Sequence, residues 1–162
     1  MSVKNIRIES VITVFDQLNE LPEPIIRLMQ EAKKAREKAY APYSDFQVGA
    51  AMLLDNGEVI TGSNQENASY PSGLCAERTA LYYAGAKFPN AKMISMGITA
   101  ASNNQNTESP IPPCGACRQA IAEYEIKQDH PIEIYFMGEK GQVFKSDSLS
   151  NLLPLVFDRT AL

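Results

Sequence analysis

Pro71-Ser72-Gly73-Leu74-Cys75-Ala76-Glu77-Arg78 and Pro112-Pro113-Cys114-Gly115-Ala116-Cys117-Arg118 are the two stretches on which the reading of the fold turns. Each sets a cysteine directly behind turn-forming residues, where a helix begins. The spacing predicts helices over Leu74–Ala86 and Cys114–Glu125, a strand over Ala91–Ala100 between them, and another over Ile132–Met137. A turn at Gly138-Glu139-Lys140-Gly141 leads into a last strand, Gln142–Lys145. Upstream, Phe46–Leu54 and Glu58–Gly62 flank Asp55-Asn56-Gly57, where Asn-Gly supplies the positive dihedrals of a tight hairpin. Before them, Pro22–Tyr40 is helical, with Ile25, Met29, Ala32 and Arg36 at spacings of three and four. Lys33, Lys34, Arg36, Glu37 and Lys38 read as its solvated face. The polar stretch Ala101–Pro113 reads as a surface connection. A helix, a hairpin and then strands alternating with helices predict an α/β fold in which helices cover one mixed sheet. In the first twenty residues Ile6, Ile8, Val11 and Val14 alternate imperfectly, which predicts an added strand or an arm against a partner subunit.

The composition narrows the classes of function. The chain has 162 residues, 44% of them hydrophobic, enough for one domain with a real core. Lys+Arg 15 against Asp+Glu 19 gives a net charge of -4, which argues against gripping nucleic acid through its phosphates. No apolar run reaches the roughly 20 residues that span a bilayer, and the start lacks the apolar core of a secretory signal, so a cytoplasmic protein is expected. Three cysteines cannot all pair within one chain, which makes a disulfide framework a poor explanation for them.

A metal is a better one. A helix N-terminus offers free N–H groups and a positive dipole end, which favours the thiolate form of Cys75 and Cys114. Cys117, three residues after Cys114, projects from the same face of the first turn. Two converging helix starts would then present three thiolates to a tetrahedral ion, and zinc with a fourth position left for water suits that donor set. The alternatives are buried apolar cysteines or a structural site closed by a fourth protein ligand, for which His130, the sole histidine, is the candidate. Three thiolates around a dication leave a formal charge of −1 and call for a compensating cation. Arg78, three residues after Cys75, is placed to hydrogen-bond the sulfurs, and Arg118 is a second candidate; each has the alternative of a surface arginine. Glu77 lies off the ligand face, beside the metal, where a carboxylate can carry a proton between water, a ring nitrogen and a leaving amine.

Cys75-Ala76-Glu77-Arg78 together with Pro113-Cys114-Gly115-Ala116-Cys117-Arg118-Gln119 resembles the cytidine deaminase family, in its small three-cysteine, homotetrameric branch. Tyr40-Ala41-Pro42-Tyr43-Ser44, Phe46 with Val48-Gly49-Ala50-Ala51, Asn64 with Glu66-Asn67-Ala68, and Tyr70-Pro71 extend the similarity, which runs from about Tyr40 to Phe157. The resemblance implies a three-layer α-β-α sandwich, one zinc per subunit, and hydrolytic deamination of cytidine and 2′-deoxycytidine in pyrimidine salvage. It implies that Cys75, Cys114 and Cys117 hold the zinc and that Glu77 is the catalytic acid/base. Asn64 and Glu66 would bind the ribose 3′-hydroxyl, Phe46 would flank the pyrimidine, and the Ala76 N–H would bind the base carbonyl. The Pro112 carbonyl would hold the departing amine. Phe157 and Tyr43 would reach a neighbouring subunit's site, so the partners expected are a small nucleoside and copies of the same chain, not nucleic acid or membrane. For Phe46 and Phe157 core packing is the alternative, and for Asn64 and Glu66 turn and cap chemistry.

The chain departs from the family pattern at Gln65, at Pro112, where serine is frequent, and at Asp158-Arg159-Thr160, where Gly-Pro is common. Residues 1–21 read as an N-terminal extension and 22–162 as the catalytic domain. The rival functions are deamination of another cytosine compound, such as a nucleotide, a base in nucleic acid or a nucleoside antibiotic, and a noncatalytic zinc-stabilised interaction module.

Overall fold

The computed structural model describes residues 2–162. Six strands form one sheet: β1 (Thr13–Phe15), β2 (Phe46–Leu54), β3 (Val59–Ser63), β4 (Met93–Ser102), β5 (Glu133–Met137) and β6 (Val143–Ser146), in the spatial order β1-β6-β5-β4-β2-β3. Three helices cover it, α1 (Glu23–Arg36), α2 (Ala76–Lys87) and α3 (Gly115–Gln128). β4 and β5 are parallel because α3 carries the chain back across the sheet between them, while the other neighbours are antiparallel.

The period of two along the strands sorts the two cores. Met52 and Leu54 of β2, Ile60 of β3, Met96 and Ile98 of β4, and Ile134 and Phe136 of β5 face α2 and α3, meeting Leu81, Ala84, Ile121 and Ala122. Their sequence neighbours Ala51, Tyr135 and Met137 face the other way, against Ile25, Leu28, Met29 and Ala32 of α1. The fold is therefore the three-layer α-β-α sandwich that the resemblance implies.

Two glycines set how closely the helices approach. A Cβ on Gly49 of β2 would lie 2.0 Å from the Ala32 carbonyl oxygen of α1, and one on Gly62 of β3 would lie 2.6 Å from both the Ala76 carbonyl oxygen and the Ala80 nitrogen of α2. Gly62 thus lets the first turn of α2, with Cys75 and Glu77, settle directly on the sheet. Gly62→Ala is expected to cost about 1–3 kcal/mol through overpacking and to loosen the Cys75 end of α2. A thermal melt paired with zinc stoichiometry checks both effects.

Several expectations shift in detail. α1 ends at Arg36 rather than Tyr40; Lys38 and Ala39 N–H close turns on Ala35 and Arg36, and Tyr40 then bridges to Gln65. Arg36 is not on the solvated face, since it is 5% exposed and its Nη1 donates to Thr99 Oγ1 at 2.9 Å. It is the last residue of a stripe that faces the sheet, and position outweighs its charge. Lys33, Lys34, Glu37 and Lys38 are exposed. The hairpin is a three-residue turn in which only Gly57 has positive φ (84°), so Asn56 instead accepts the Glu58 N–H at 3.0 Å. The N-terminal region does add a strand, β1, paired with β6 at the sheet's outer edge.

Candidate metal and substrate site

Cys75 and Cys114 are the N-cap residues of α2 and α3, both with extended backbone, and neither side chain caps its helix. The sulfurs instead turn toward each other. Cys75 Sγ lies 3.9 Å from Cys114 Sγ, which lies 3.5 Å from Cys117 Sγ, and all three fall within 4.8 Å of one another. A tetrahedral ion with Zn–S bonds of about 2.3 Å would set its sulfurs about 3.8 Å apart, so the spacing fits zinc, and so does the softness of the donors. Cys117 is buried, whereas Cys114 is exposed. Packed this closely, the thiols cannot ionise alike. The Cys117 thiol close by, aided by Arg78, draws the Cys75 thiol down to about 5, while the neighbouring Cys75 sulfur and burial drive Cys117 up. A cation is what lets all three exist as thiolates.

Glu77, in the first turn of α2, is 5% exposed. Burial first, then the negative charge at Cys75, push its carboxyl above the usual carboxylate range, which suits a group that must both take and give a proton near neutrality. Arg78 Nη2 donates to Cys75 Sγ at 3.8 Å, and its Nε is buried with no acceptor among the described residues, leaving a second N–H to offer there. Ala76 is fully buried at the first position of α2, where a helix leaves its backbone N–H groups free of intrahelical partners.

Beside Cys75 opens a cleft of about 440 Å³, walled by Tyr43, Asn64, Glu66, Tyr70 and Arg78, within the range of small-molecule sites. Asn64 staples the start of β2: its Oδ1 accepts the Val48 N–H at 2.8 Å and its Nδ2 donates to the Phe46 carbonyl at 2.9 Å. Glu66 accepts from the Tyr43 and Ser44 backbone N–H groups at 2.9 and 3.3 Å and from the Ser44 hydroxyl. Those bonds, the Ser44 hydroxyl's first, hold its carboxyl below the usual range. Glu66 therefore shapes the loop around Tyr43, the turn chemistry that the sequence left open, and Asn64 pins the strand that follows it, yet each retains unused capacity: a second lone pair and amide hydrogen on Asn64, spare carboxylate lone pairs on Glu66. Phe46 is half-buried, and Tyr43 is 52% exposed with its ring edge-to-face on Tyr70 at 6.1 Å.

The remaining candidates divide. Arg118 does not bond the sulfurs; its Nε donates to the Pro113 carbonyl and its Nη1 to the Leu152 carbonyl, both at 2.8 Å. It braces the approach to Cys114 instead of neutralising the thiolates. His130 lies outside the cysteine cluster, its Nδ1 2.7 Å from the Pro131 carbonyl. Pro112 is exposed, as is Phe157 at 62%, whose carbonyl accepts from Gln119 Nε2 at 2.7 Å. Ser44, Tyr70 and Gln119 were not singled out as site residues in the sequence. All three could have been suspected only from their places inside the quoted motifs.

The family model for the cytidine and deoxycytidylate deaminase zinc-binding region matches residues 22–129. A cytidine deaminase of Sporosarcina psychrophila is 40% identical over 139 residues, which is 84% of this chain and 93% of that one. A second, from Halalkalibacterium halodurans, is 43% identical over 130 residues, or 80% and 91% of the two chains. The crystal structure of the cytidine deaminase from Burkholderia pseudomallei matches with a TM-score of 0.70 at 41% identity, covering 81% of this chain and 97% of that one.

Proposed function

The chain belongs to the cytidine deaminase family, and on that premise we propose that it hydrolyses cytidine to uridine and ammonia, with 2′-deoxycytidine as a second substrate. The observation that carries this reading is the buried Glu77 carboxyl set beside three sulfurs at tetrahedral spacing, with a cleft opening at their edge. Zinc, one per subunit, held by Cys75, Cys114 and Cys117, supplies the Lewis acidity that makes water a nucleophile at neutral pH.

Glu77 takes a proton from the attacking water and delivers one to ring N3 as C4 accepts oxygen. It then takes the remaining proton of the hydroxyl added at C4 and passes it to the exocyclic amine, which leaves as ammonia while the C4 carbonyl forms, so water is consumed and the C–N bond is exchanged for C–O. The free Ala76 N–H binds the base carbonyl, and the Pro112 carbonyl receives the departing amine. Arg78 offsets the negative charge of the thiolates through its bond to Cys75. Asn64 and Glu66 use their spare capacity on the ribose 3′-hydroxyl, and Phe46 lines the base. Tyr43 and Phe157, large aromatics left exposed in one chain, reach the site of a neighbouring copy in a homotetramer.

Residues 22–162 form the catalytic domain and residues 1–21 an extension, of which β1 pairs with β6 at the edge of the sheet. Three unpaired thiols suit the reducing cytoplasm, where the reaction serves pyrimidine salvage.

Nucleosides are favoured over nucleotides because the cleft carries the Glu66 carboxylate near the sugar position and the chain is acidic overall. In a panel of cytidine, deoxycytidine, their monophosphates, cytosine and adenosine, the two nucleosides are expected to give the highest kcat/KM. A clear preference for a monophosphate would overturn the assignment.

A further inference from the structure

Residues 2–12 run without helix or paired strand and are largely solvent-facing, with Val3 90%, Ile6 88% and Val11 66% exposed. Where this arm meets the body, one side chain holds it. Asn151, in the 3-10 turn Leu149–Asn151, donates from Nδ2 to the Val11 carbonyl at 3.2 Å and accepts the Val11 N–H on Oδ1 at 3.4 Å. Ser10 Oγ donates to the Asn151 carbonyl at 2.6 Å. A single amide thereby satisfies both backbone groups of one arm residue, as a neighbouring strand would, and β1 just beyond fixes the arm's other end on β6.

The turn that Asn151 occupies opens the segment leading to Phe157. Glu125 secures its start, accepting the Ser148 hydroxyl at 2.7 Å and the Leu149 N–H at 2.9 Å. Arg118 holds the Leu152 carbonyl with the same guanidinium that holds the Pro113 carbonyl beside Cys114. Gln119 holds the carbonyl of Phe157. The arm, the C-terminal segment and the approach to Cys114 are thus joined by consecutive hydrogen bonds.

We propose that Asn151 is a positioning residue: by clasping the arm at Ser10 and Val11, it fixes the segment Leu152–Phe157 where the aromatic end completes a nucleoside site. This rests on the deaminase reading and on the assignment of Phe157 to substrate. Released from the arm, the segment Leu152–Phe157, anchored upstream through Glu125 and at its end through Gln119, gains freedom, and its ordering must be repeated at each binding event. The loss falls on KM, because the reacting atoms are held by other residues.

The test uses full-length, zinc-loaded Asn151→Leu and Ser10→Ala beside wild type. It reads KM and kcat for cytidine together with amide hydrogen exchange at Leu152 and Leu153, whose N–H groups bond to the Leu149 carbonyl. Asn151→Leu is expected to speed exchange at both amides, leave exchange in α1 unchanged, and raise KM about 3–10-fold, the equivalent of roughly one net hydrogen bond. Its kcat should stay within about twofold, with zinc content unchanged. Asn151→Asp keeps the acceptor for Val11 and loses the donor, so it should fall between. Ser10→Ala, on the exposed arm, should move the same two readouts less, and carries the test if Asn151→Leu does not fold. Unchanged exchange at Leu152 and Leu153 overturns the clasp, and faster exchange with unchanged KM overturns the positioning role. A zinc-loaded wild type that leaves cytidine intact overturns the deaminase reading and the positioning role with it, while the clasp is still decided by exchange.

Discussion

Glu77→Gln is expected to keep one zinc per chain and a near-normal melting temperature while kcat falls by about 10²–10⁴-fold or more, the usual worth of a placed general acid/base. Glutamine matches glutamate in size and shape, and it removes a carboxyl whose ionised form burial disfavours, so the packing of the first turn of α2 has no reason to fail. What disappears is the proton. Glu77 projects beside the sulfur cluster instead of into it, and the cysteines by themselves account for the metal. Comparing single-turnover rates with zinc content and a thermal melt on one preparation separates loss of chemistry from loss of fold. Turnover like wild type in that variant would remove Glu77 from the mechanism. A zinc-loaded wild type with no deaminase activity would favour the noncatalytic zinc module.

A comparably large effect is expected from Cys114→Ala, for a different reason. Cys114 is exposed, caps nothing with its side chain, and stands at the start of α3 rather than within its buried face. Its removal therefore takes little from the apolar core and one of the three sulfurs from the cluster proposed to hold zinc. Zinc content is expected to fall well below one per chain and activity to fall to background, with the secondary structure retained in circular dichroism. Cys117→Ala would mix two effects, because that side chain is also fully buried. Removing zinc from wild type with a chelator should reproduce the loss of activity and lower the melting temperature, since metal held only by the folded chain adds its binding energy to folding. Zinc should restore both and magnesium neither, because soft thiolates discriminate against a hard, oxygen-seeking ion. Full activity in zinc-free Cys114→Ala would contradict the metal's role.

The sheet order was not written in the sequence, but the parts that position the chemistry were. Cys75 and Cys114 were legible as helix starts because proline and glycine stand before them, and local chain stiffness carries that signal. The hairpin at Asp55-Asn56-Gly57 was legible for the same reason, although only Gly57 takes the left-handed conformation. What escaped depends on contacts between distant segments. Arg36 looks like one more charge on a basic helix face until the sheet closes over it and Thr99 receives its N–H. Gly49 and Gly62 matter because helix backbones sit where their side chains would be. The bonds of Asn64 to β2, and of Glu66 to the loop around Tyr43, likewise exist only once the loop and strands are assembled. Arg118, adjacent to Cys117 in the sulfur cluster, turns away to two carbonyls for a reason visible only when the C-terminal segment folds back beside it.

X-ray absorption at the zinc edge, on purified full-length protein with metal content determined on the same sample, probes the sulfur cluster most directly. The predicted result is one zinc per chain with three sulfur neighbours at about 2.3 Å and a single lighter neighbour at about 2.0 Å that exchanges with solvent. Active protein without zinc, or a shell closed by four amino-acid donors, would contradict it.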